Sequence, residues 1–382
     1  MTSSASARAG VPLAIGGLLA MAAAMGIGRF VFTPILPGMM RDLGLSAGEA
    51  GVIASANFLG YLAGALAAAT PWLTGGRGAL LLALGASAAT TAATAAFSGV
   101  ASLAVVRFAG GVASAFTLVF ASALVLQRLV AAGRPGLSAV HFAGVGTGIA
   151  LSALLVAALT AGGAGWRTLW LAAGGVSALA VPAVLALVPS DSAGARAAAA
   201  PSPYRPDATF LRLLTAYGLF GFGYVITATF IVALVRMDTA LQPVEPYVWL
   251  VFGLAAAPSV WLWTVAARRW GTGPVFRAAL GVEAIGVALS VAGGGTVPVL
   301  ASAILLGGTF MGLTALGIAA GRHRAGAAGQ RAVALLTASF GLGQVIGPLF
   351  AGVLRDATGS FAAPTLAAAA VLIGAAIITP KL

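Results

Sequence analysis

The sequence has no cysteine and very little charge. Because none of its 382 residues is cysteine, disulfide bonds and thiolate metal sites are excluded. Only 7% of the residues are charged, eight of them acidic and twenty basic, whereas 60% are hydrophobic. Such a chain exposes more apolar surface than one globular core can bury, so we expect it to use lipid as its solvent.

The few charges lie in or at the ends of short gaps between about twelve apolar stretches, and only Arg29, Arg107 and Glu283 lie more than three residues inside a stretch. Each stretch has the length of roughly 20 residues that a bilayer crossing needs, and backbone groups in lipid must bond to one another, which favours helices. Residues 78–127 are too long for one helix, so a break is expected at Ser98-Gly99. The sequence predicts an all-α membrane protein with twelve transmembrane helices, over residues 11–36, 50–71, 78–98, 101–127, 136–160, 168–188, 209–234, 247–267, 274–293, 296–320, 330–352 and 360–379.

The basic residues predict the orientation of the chain. If the N-terminus is cytoplasmic, fourteen basic residues fall in cytoplasmic segments and four in outside segments, namely Arg41, Arg167, Arg236 and Arg355. Because basic residues favour cytoplasmic loops, both termini are expected in the cytoplasm. The same bias accounts for the net charge of +12, so nucleic-acid binding is not expected. The many arginines beside a single lysine are typical of a GC-rich genome, and we expect a bacterial cytoplasmic (inner) membrane.

The first apolar stretch follows a short polar start that contains Arg8, as the apolar part of a signal peptide would. It runs past the usual length of a signal peptide, and eleven further stretches follow it. We therefore expect a retained first helix in a multi-pass protein.

One long polar break, residues 189–207, divides the predicted helices into two sets of six. Its three prolines and its small residues favour a flexible connection, which the predicted orientation places in the cytoplasm. We therefore expect an N-terminal six-helix bundle over residues 1–188 and a C-terminal six-helix bundle over residues 208–382.

Glycine positions suggest that the two sets are related. Gly110-Gly111 in the fourth span matches Gly307-Gly308 in the tenth, at an offset of 197 residues. Gly144 and Gly146 in the fifth span match Gly341 and Gly343 in the eleventh at the same offset. A repeated offset favours a duplicated six-helix unit, and two similar bundles can rock about a central site, as transporters do.

Several segments resemble the major facilitator superfamily over essentially the whole chain. Arg107-Phe108-Ala109-Gly110-Gly111 is similar to the superfamily's fourth-helix motif, and Trp166-Arg167 before the sixth span is another common feature. Within the superfamily, the chain looks like the YbfB/YjiJ-type subgroup in residues 28–37, in Asn57-Phe58-Leu59-Gly60-Tyr61-Leu62 and in Gly341-Leu342-Gly343-Gln344 with Gly347-Pro348. The resemblance implies the major facilitator fold, a central cavity and alternating access.

Two loops depart from the superfamily pattern. The loop between the second and third spans, residues 74–78, lacks the acid that usually stands there. The loop between the eighth and ninth spans keeps Arg268-Arg269 and also lacks an acid. The sequence therefore gives no support for the charge-relay gate that the resemblance would imply at these loops.

Arg29 and Arg107 are expected at similar depths, because the first and fourth spans run in opposite directions. No span of the N-terminal half contains a carboxylate, and a guanidinium inside the membrane should face protein or a wet cavity. Two unpaired cations suit an anionic solute, since arginine can hold a carboxylate or phosphate by two parallel hydrogen bonds. The alternative is that both arginines donate to helix carbonyls and to Asn57 or Thr33, and so tie the bundle together.

Further candidates follow from the helix numbering that the resemblance implies. With the two arginines, Asn57, Tyr61, Tyr224 and Gln344 are candidate substrate-binding residues, and the hydroxyl and aromatic groups of the C-terminal half suit an anion with an apolar body. Glu283 and His141 are candidates for proton coupling, because a buried carboxyl and an imidazole can titrate near neutral pH. For Glu283 the alternative is a supporting role in a peripheral helix, and for His141 it is a satisfied buried histidine.

These patterns predict a secondary transporter that moves a small organic solute, an anion, and that is driven by an ion gradient such as protons or by the solute's own gradient. One alternative is an efflux pump for lipophilic drugs, for which Glu283 is the single acid available inside a span. Another is a membrane sensor or lipid-handling scaffold. No enzyme activity, cofactor or metal is expected, because the spans contain no cluster of His, Asp and Glu.

Overall fold

A computed structural model of the chain describes residues 2–68, 70, 75–190 and 206–381, with side chains from residue 10 onward except at residue 327. The described residues form thirteen α-helices and no β-strand. The helices are α1 (Thr2–Met21), α2 (Phe32–Leu43), α3 (Ala47–Ala68), α4 (Arg77–Ala93), α5 (Val100–Ala131), α6 (Ser138–Ala161), α7 (Trp166–Leu187), α8 (Ala208–Met237), α9 (Glu245–Trp270), α10 (Thr272–Leu289), α11 (Thr296–Ala325), α12 (Gly329–Thr358) and α13 (Ala362–Ile378).

Eleven helical segments are long and apolar enough to cross a membrane, judged by length and composition. The first is Gly10–Leu43, which joins α1 and α2, and α13 is a shorter apolar helix of 17 residues. The all-α, multi-pass prediction is confirmed, and so is the predicted break at Ser98-Gly99, since α5 begins at Val100. Most of the predicted linker lies outside the described residues, with its Arg196 and Arg205, as do residues 71–74 and the side chain of Arg8.

The first predicted span, residues 11–36, is interrupted in the structure rather than continuous. Residues Ala22–Ile27 form one π-helical turn, in which backbone bonds reach back five residues instead of four. The amide of Gly28 accordingly donates to the carbonyl of Ala23 at 2.8 Å. Gly28 to Val31 then form a turn before α2 begins.

Pro34 in the first turn of α2 gives a physical reason for this interruption. Proline has no N–H to donate, and its ring clashes with the carbonyl four residues earlier, here that of Phe30. The Phe30 carbonyl instead accepts from the amide of Thr33 at 3.3 Å. The backbone between the π-turn and α2 therefore has carbonyl groups that need donors from elsewhere in the protein.

The two pieces of the first span pack against different parts of the chain. α1 packs mainly against α5, α6 and α7, all of which precede the linker. α2 packs most extensively against α8, which follows it. Further contacts between the two parts of the chain are made by α3 with α12 and by α6 with α9.

Glycines allow the closest helix contacts. An added Cβ at Gly144 or Gly148 of α6 would overlap the carbonyl oxygens of Leu18 and Ala22 in α1 and its π-turn, and one at Gly146 would overlap the backbone of α9 at Ala257. Small residues permit such backbone-to-backbone packing inside membranes.

The corresponding contacts of α12 involve Gly343 and Gly347, whose added Cβ atoms would crowd the carbonyls of Gly218 and Phe222 in α8. Thus two glycines of α12 pack against carbonyls of α8 in the same way as two glycines of α6 pack against carbonyls of the first span. The contacts match Gly144 with Gly343 rather than with Gly341, two residues away from the correspondence that the sequence predicted.

Candidate functional site

Arg107 fills the gap in backbone bonding that the interrupted first span creates. This α5 side chain is buried, with 2% of its surface exposed. Its Nη1 donates to the carbonyl of Gly28 at 2.9 Å, and its Nη2 donates to the carbonyl of Arg29 at 3.0 Å. One guanidinium thus satisfies two successive carbonyls, and it ties α5 to the break between α1 and α2.

Other groups hold Arg107 in this position. The side-chain amide of Asn57 in α3 donates to the backbone carbonyl of Arg107 at 2.8 Å. The guanidinium carbon lies 5.0 Å from the ring centroid of Trp170 and 5.7 Å from that of Phe32, within the range of cation–π attraction. These contacts agree with the structural alternative for Arg107 and Asn57, in which they join helices of the N-terminal half.

Arg29 faces the C-terminal half instead. Its side chain is also buried, with 5% of its surface exposed, and its Nη2 donates to the Oε1 atom of Gln344 in α12 at 2.8 Å. The amide nitrogen of Gln344 in turn donates to the hydroxyl of Tyr224 in α8. The structure therefore joins three predicted binding residues in one hydrogen-bonded chain across the two halves.

Aromatic rings surround the Arg29 guanidinium. Its central carbon lies 4.0 Å from the ring centroid of Tyr61, 4.7 Å from that of Phe58 and 5.5 Å from that of Phe30. Cation–π attraction to ring faces offsets part of the cost of burying the charge. The Nε atom of Arg29 is buried and has no hydrogen-bond acceptor among the described residues.

The aromatic surface continues into the C-terminal half. Tyr224 stacks on Phe310 of α11 with ring centroids 5.6 Å apart, and on Phe340 of α12 at 5.8 Å. Phe30 meets Phe310 edge to face at 6.0 Å. A single positive group therefore borders a continuous set of ring faces.

A small pocket lies beside the two arginines. It is lined by residues of α2, α3, α5 and α8 and by the turn that holds Arg29. About 10 Å³ of it is open to the centre of a water molecule, which is roughly what one water needs. The hydroxyl of Thr33 donates to the carbonyl of Ala228 at 2.9 Å across this pocket. The halves are therefore closed over the site in this conformation.

Neither arginine has an acidic partner in the part of the chain that the structure describes. The ion pairs of the described residues involve other groups, such as Arg236 with Glu245 and Arg324 with Asp207. The Arg324 guanidinium and the Phe210 amide hold the pKa of Asp207, which lies just outside the membrane-spanning helices, below its usual value. Among the described residues, the charge of Arg29 is therefore balanced by polar and aromatic groups, including the amide oxygen of Gln344 and the Tyr61 side chain, and by no carboxylate.

His141 and Glu283, the coupling candidates, lie apart from this chain of residues. His141 of α6 is buried beside Gly17 of α1, and its Nε2 lies 3.1 Å from the hydroxyl of Ser122 in α5. Gly17 and Ser122 both belong to the N-terminal half. These contacts agree with a packing role more than with the solute site.

Glu283 is fully buried in α10. Neither of its carboxyl oxygens forms a hydrogen bond of normal geometry within the described part of the chain. Thr309 of α11 lies beside it, but the hydroxyl of Thr309 donates to the carbonyl of Leu305 at 2.6 Å. Glu283 therefore stays a candidate for coupling with no partner that would hold it ionised.

One contact between the two halves was not predicted from the sequence. The carboxylate of Asp356, near the end of α12, accepts from the amides of Gly48 at 2.7 Å and Ala47 at 3.1 Å, in the first turn of α3. The Ser46 and Glu49 pair of a capping box marks this helix start in the sequence, since each side chain bonds the other's amide. No residue pattern near α3 or in α12 predicts that Asp356 of the other half accepts hydrogen bonds from this helix start.

Comparisons with known proteins agree with this architecture. No curated protein matches the chain in sequence. The crystal structure of the nucleoside transporter NupG is similar with a TM-score of 0.71 and 16% identity, over 97% of this chain and 97% of that one. The human organic anion transporter MFSD10 (TETRAN) gives 0.67 and 18%, over 98% and 99%. A bacterial homologue of the lysosomal transporter Spinster, inward-facing and unoccupied, gives 0.66 and 13%, over 98% and 94%.

At these identities the solved structures show a shared fold, and the family match is more specific. The family described as "Uncharacterised MFS-type transporter YbfB" matches residues 21–380, nearly the whole chain. Its span includes every candidate site residue. The chain therefore belongs to the YbfB-type family of major facilitator superfamily transporters, multi-pass membrane proteins that move small solutes.

Proposed function

We propose that the protein is a secondary active transporter that moves a small organic anion by alternating access. The observation that carries the proposal is Arg29, a buried guanidinium at the contact between the two halves that has no acidic partner among the described residues. Arginine holds carboxylates well, and a buried cation without a counterion gives an anion a large electrostatic advantage over a neutral solute.

The alternating-access part of the proposal depends on two six-helix bundles, residues 1–188 and 208–382, with residues 189–207 as a cytoplasmic linker. The matching contacts of α6 with the first span and of α12 with α8 support a duplicated unit. Contacts between the halves run through α2 with α8, α3 with α12 and α6 with α9. We take these helices as the surfaces that separate when the central site opens.

The number of positive groups available at the site indicates how many acidic groups the solute has. Arg107 uses both terminal nitrogens on carbonyls of its own half, so it acts as a positioning residue for the turn that carries Arg29. Of the two buried arginines that the structure describes, Arg29 is then the one left for the solute, and the adjoining surface is aromatic. The site is thus complementary to a solute with one acidic group on a flat apolar body.

Thermal unfolding with matched ligands tests this proposal. Aromatic monocarboxylates, starting with benzoate, are compared with benzamide, phthalate and the lipophilic cation tetraphenylphosphonium. We expect a monocarboxylate to stabilise the wild type, by about 2.7 kcal/mol at a hundredfold excess over its dissociation constant. Arg29→Met should abolish this effect, because methionine retains the bulk and lacks the charge.

Arg331→Met is the control, since it removes an exposed charge far from the described site. Equal stabilisation of wild type and Arg29→Met would contradict the anion site. Stabilisation by tetraphenylphosphonium alone would instead support efflux of lipophilic compounds.

The proposed location is a bacterial inner membrane, with both termini on the cytoplasmic side. The excess of basic residues in the segments assigned to that side supports this orientation. In it, the end of the protein that holds Asp356 and the first turn of α3 faces outward. The conformation described above is then closed on its outer side.

We further propose Glu283 as the proton site, because it is a buried carboxyl without an ionic partner. Glu283→Gln keeps the shape of the side chain and removes its proton exchange. With an anion that stabilises the wild type, proteoliposomes of the variant should still equilibrate the solute, but an imposed proton gradient should no longer concentrate it. Undiminished proton-driven accumulation would exclude Glu283 from coupling.

A further inference from the structure

The bond between Gln344 and Arg29 joins the two halves at the centre of the proposed site. Arg29 lies in the first span and Gln344 in α12, 315 residues apart in sequence. The amide oxygen of Gln344 occupies one of the donor positions on Arg29 that a carboxylate would use. The pocket beside it has room for about one water molecule, so in this closed arrangement no organic solute fits against Arg29.

Closing an empty carrier over a bare guanidinium would be unfavourable, since a buried charge needs hydrogen-bonding partners. Gln344 supplies a partner without adding a charge. The aromatic rings of Tyr61 and Phe58 cover the face of the guanidinium at 4.0 and 4.7 Å from the ring centroids. The closed, empty state therefore has an internal substitute for the anion.

We propose that Gln344 is a positioning residue that stands in for the anionic group of the solute and allows the empty carrier to close and return. The inference rests on the proposed function, in that Arg29 is taken as the solute contact. It gives Gln344 a different role from a simple binding residue. A solute anion displaces its oxygen from Arg29, and after release the oxygen returns. The consequence is net transport, in which an outward-bound anion is not required for each inward-bound one.

The test uses the empty protein and needs no solute. Because the sequence has no cysteine, spin labels can be placed on introduced cysteine pairs without removing native ones. Arg41→Cys and Thr239→Cys, both exposed, report the distance across the end where α2 and α8 finish. Ala131→Cys and His323→Cys, also exposed, report the opposite end.

We expect the wild type to favour the short distance at the α2–α8 end. Gln344→Leu keeps the side-chain volume and removes the acceptor, so the ratio of closed to open protein should fall by about tenfold or more. Adding Arg29→Met to Gln344→Leu should restore the closed state, because no bare charge then remains. Gln344→Glu should keep the halves closed through an ion pair.

Two further variants separate this role from packing. Tyr224→Phe removes the bond between Tyr224 and Gln344 but leaves Arg29 bonded, so the distances should match the wild type. If Gln344→Leu yields no folded protein, Gln344→Asn replaces it. The asparagine side chain is one carbon shorter, so its oxygen lies farther from Arg29, and the same fall in the ratio of closed to open protein is expected.

An unchanged distance distribution in Gln344→Leu, or in Gln344→Asn where that variant replaces it, would overturn the inference. A shift that Arg29→Met does not reverse would also overturn it, because Gln344 would then act through packing. The anion proposal fails by a separate result, the absence of stabilisation by monocarboxylates. The two failures are therefore distinguishable.

Discussion

Arg107→Met is expected to lower the free energy of unfolding by about 3 kcal/mol, whereas the same substitution at Arg29 should leave it nearly unchanged. At Arg107 the change leaves the carbonyls of Gly28 and Arg29 buried with no donor. Each unsatisfied buried group costs about 1–3 kcal/mol. At Arg29 the change leaves the amide oxygen of Gln344 without its donor, but it also removes a buried charge, and the desolvation cost of that charge offsets the loss.

The two variants form a matched pair, because the residues are in contact and the substitutions are identical. Thermal unfolding of both purified proteins in the same detergent gives the comparison. Arg107→Lys should be intermediate, since an ammonium group cannot fork toward two carbonyls as a guanidinium does.

Equal losses of stability in the two methionine variants would refute the division of roles. So would an Arg107→Met protein that melts like the wild type and loses only its response to anions. That result would move Arg107 from a helix tie to a solute contact.

The second large effect is expected at the contact between Asp356 and the first turn of α3. The carboxylate accepts two amide hydrogen bonds and lies at the positive end of the helix dipole, so it acts as a cap supplied by the other half. Its side chain is 32% exposed, which limits the gain to about 1–2 kcal/mol, the scale of a helix cap. Separation of α3 from α12 leaves both amides without this acceptor.

Asp356→Ala should therefore shift the equilibrium toward the state open at this end by about tenfold. Hydrogen–deuterium exchange of the peptide that covers residues 44–52 reports it, because the amides of Ala47 and Gly48 lose their acceptor. Backbone contact between the same helices persists, since an added Cβ at Gly352 would overlap the carbonyl of Ala47. The variant should therefore fold and stay closed part of the time.

Asp42→Ala is the control, because Asp42 is another acid beside α3, and its ion pair is with its neighbour Arg41. Its exchange pattern should match the wild type. If both variants exchange alike, the Asp356 carboxylate does not hold the two halves together.

Apolar run length was sufficient to predict an all-α, multi-pass protein, because lipid imposes a minimum helix length and excludes unpaired backbone. It did not predict the interruption of the first span. The depth of Arg29 and Arg107 also followed from the sequence, since antiparallel helices place residues by their distance from each end. The structure joins the two residues through the bond from the Arg107 guanidinium to the Arg29 carbonyl, a contact that the sequence did not predict.

What the sequence could not show is which donors are already used. Whether Arg107 is free for a solute depends on the turn at Gly28. Pro34 predicts a break in the helix, but the sequence does not predict the direction of the carbonyl groups in that turn. Gln344 meets Arg29 and Asp356 meets α3 across more than 300 residues of chain, and no local pattern encodes either meeting. The predicted register of the internal repeat was wrong for a similar reason. Matching glycines define the position of one helix relative to the other only to within about one turn.

The π-turn at Ala22–Ile27 also constrains how this gene can change in length. A turn with five-residue bonds holds one residue more than an α-turn, so loss of a single codon there would let it close as a regular helix. α1 and α2 would then keep nearly the same relative rotation, because the wider turn absorbs the one additional residue. A further insertion or deletion has no such turn to absorb it and would rotate α1 by about 100° relative to α2. Leu18 would then turn away from Gly144.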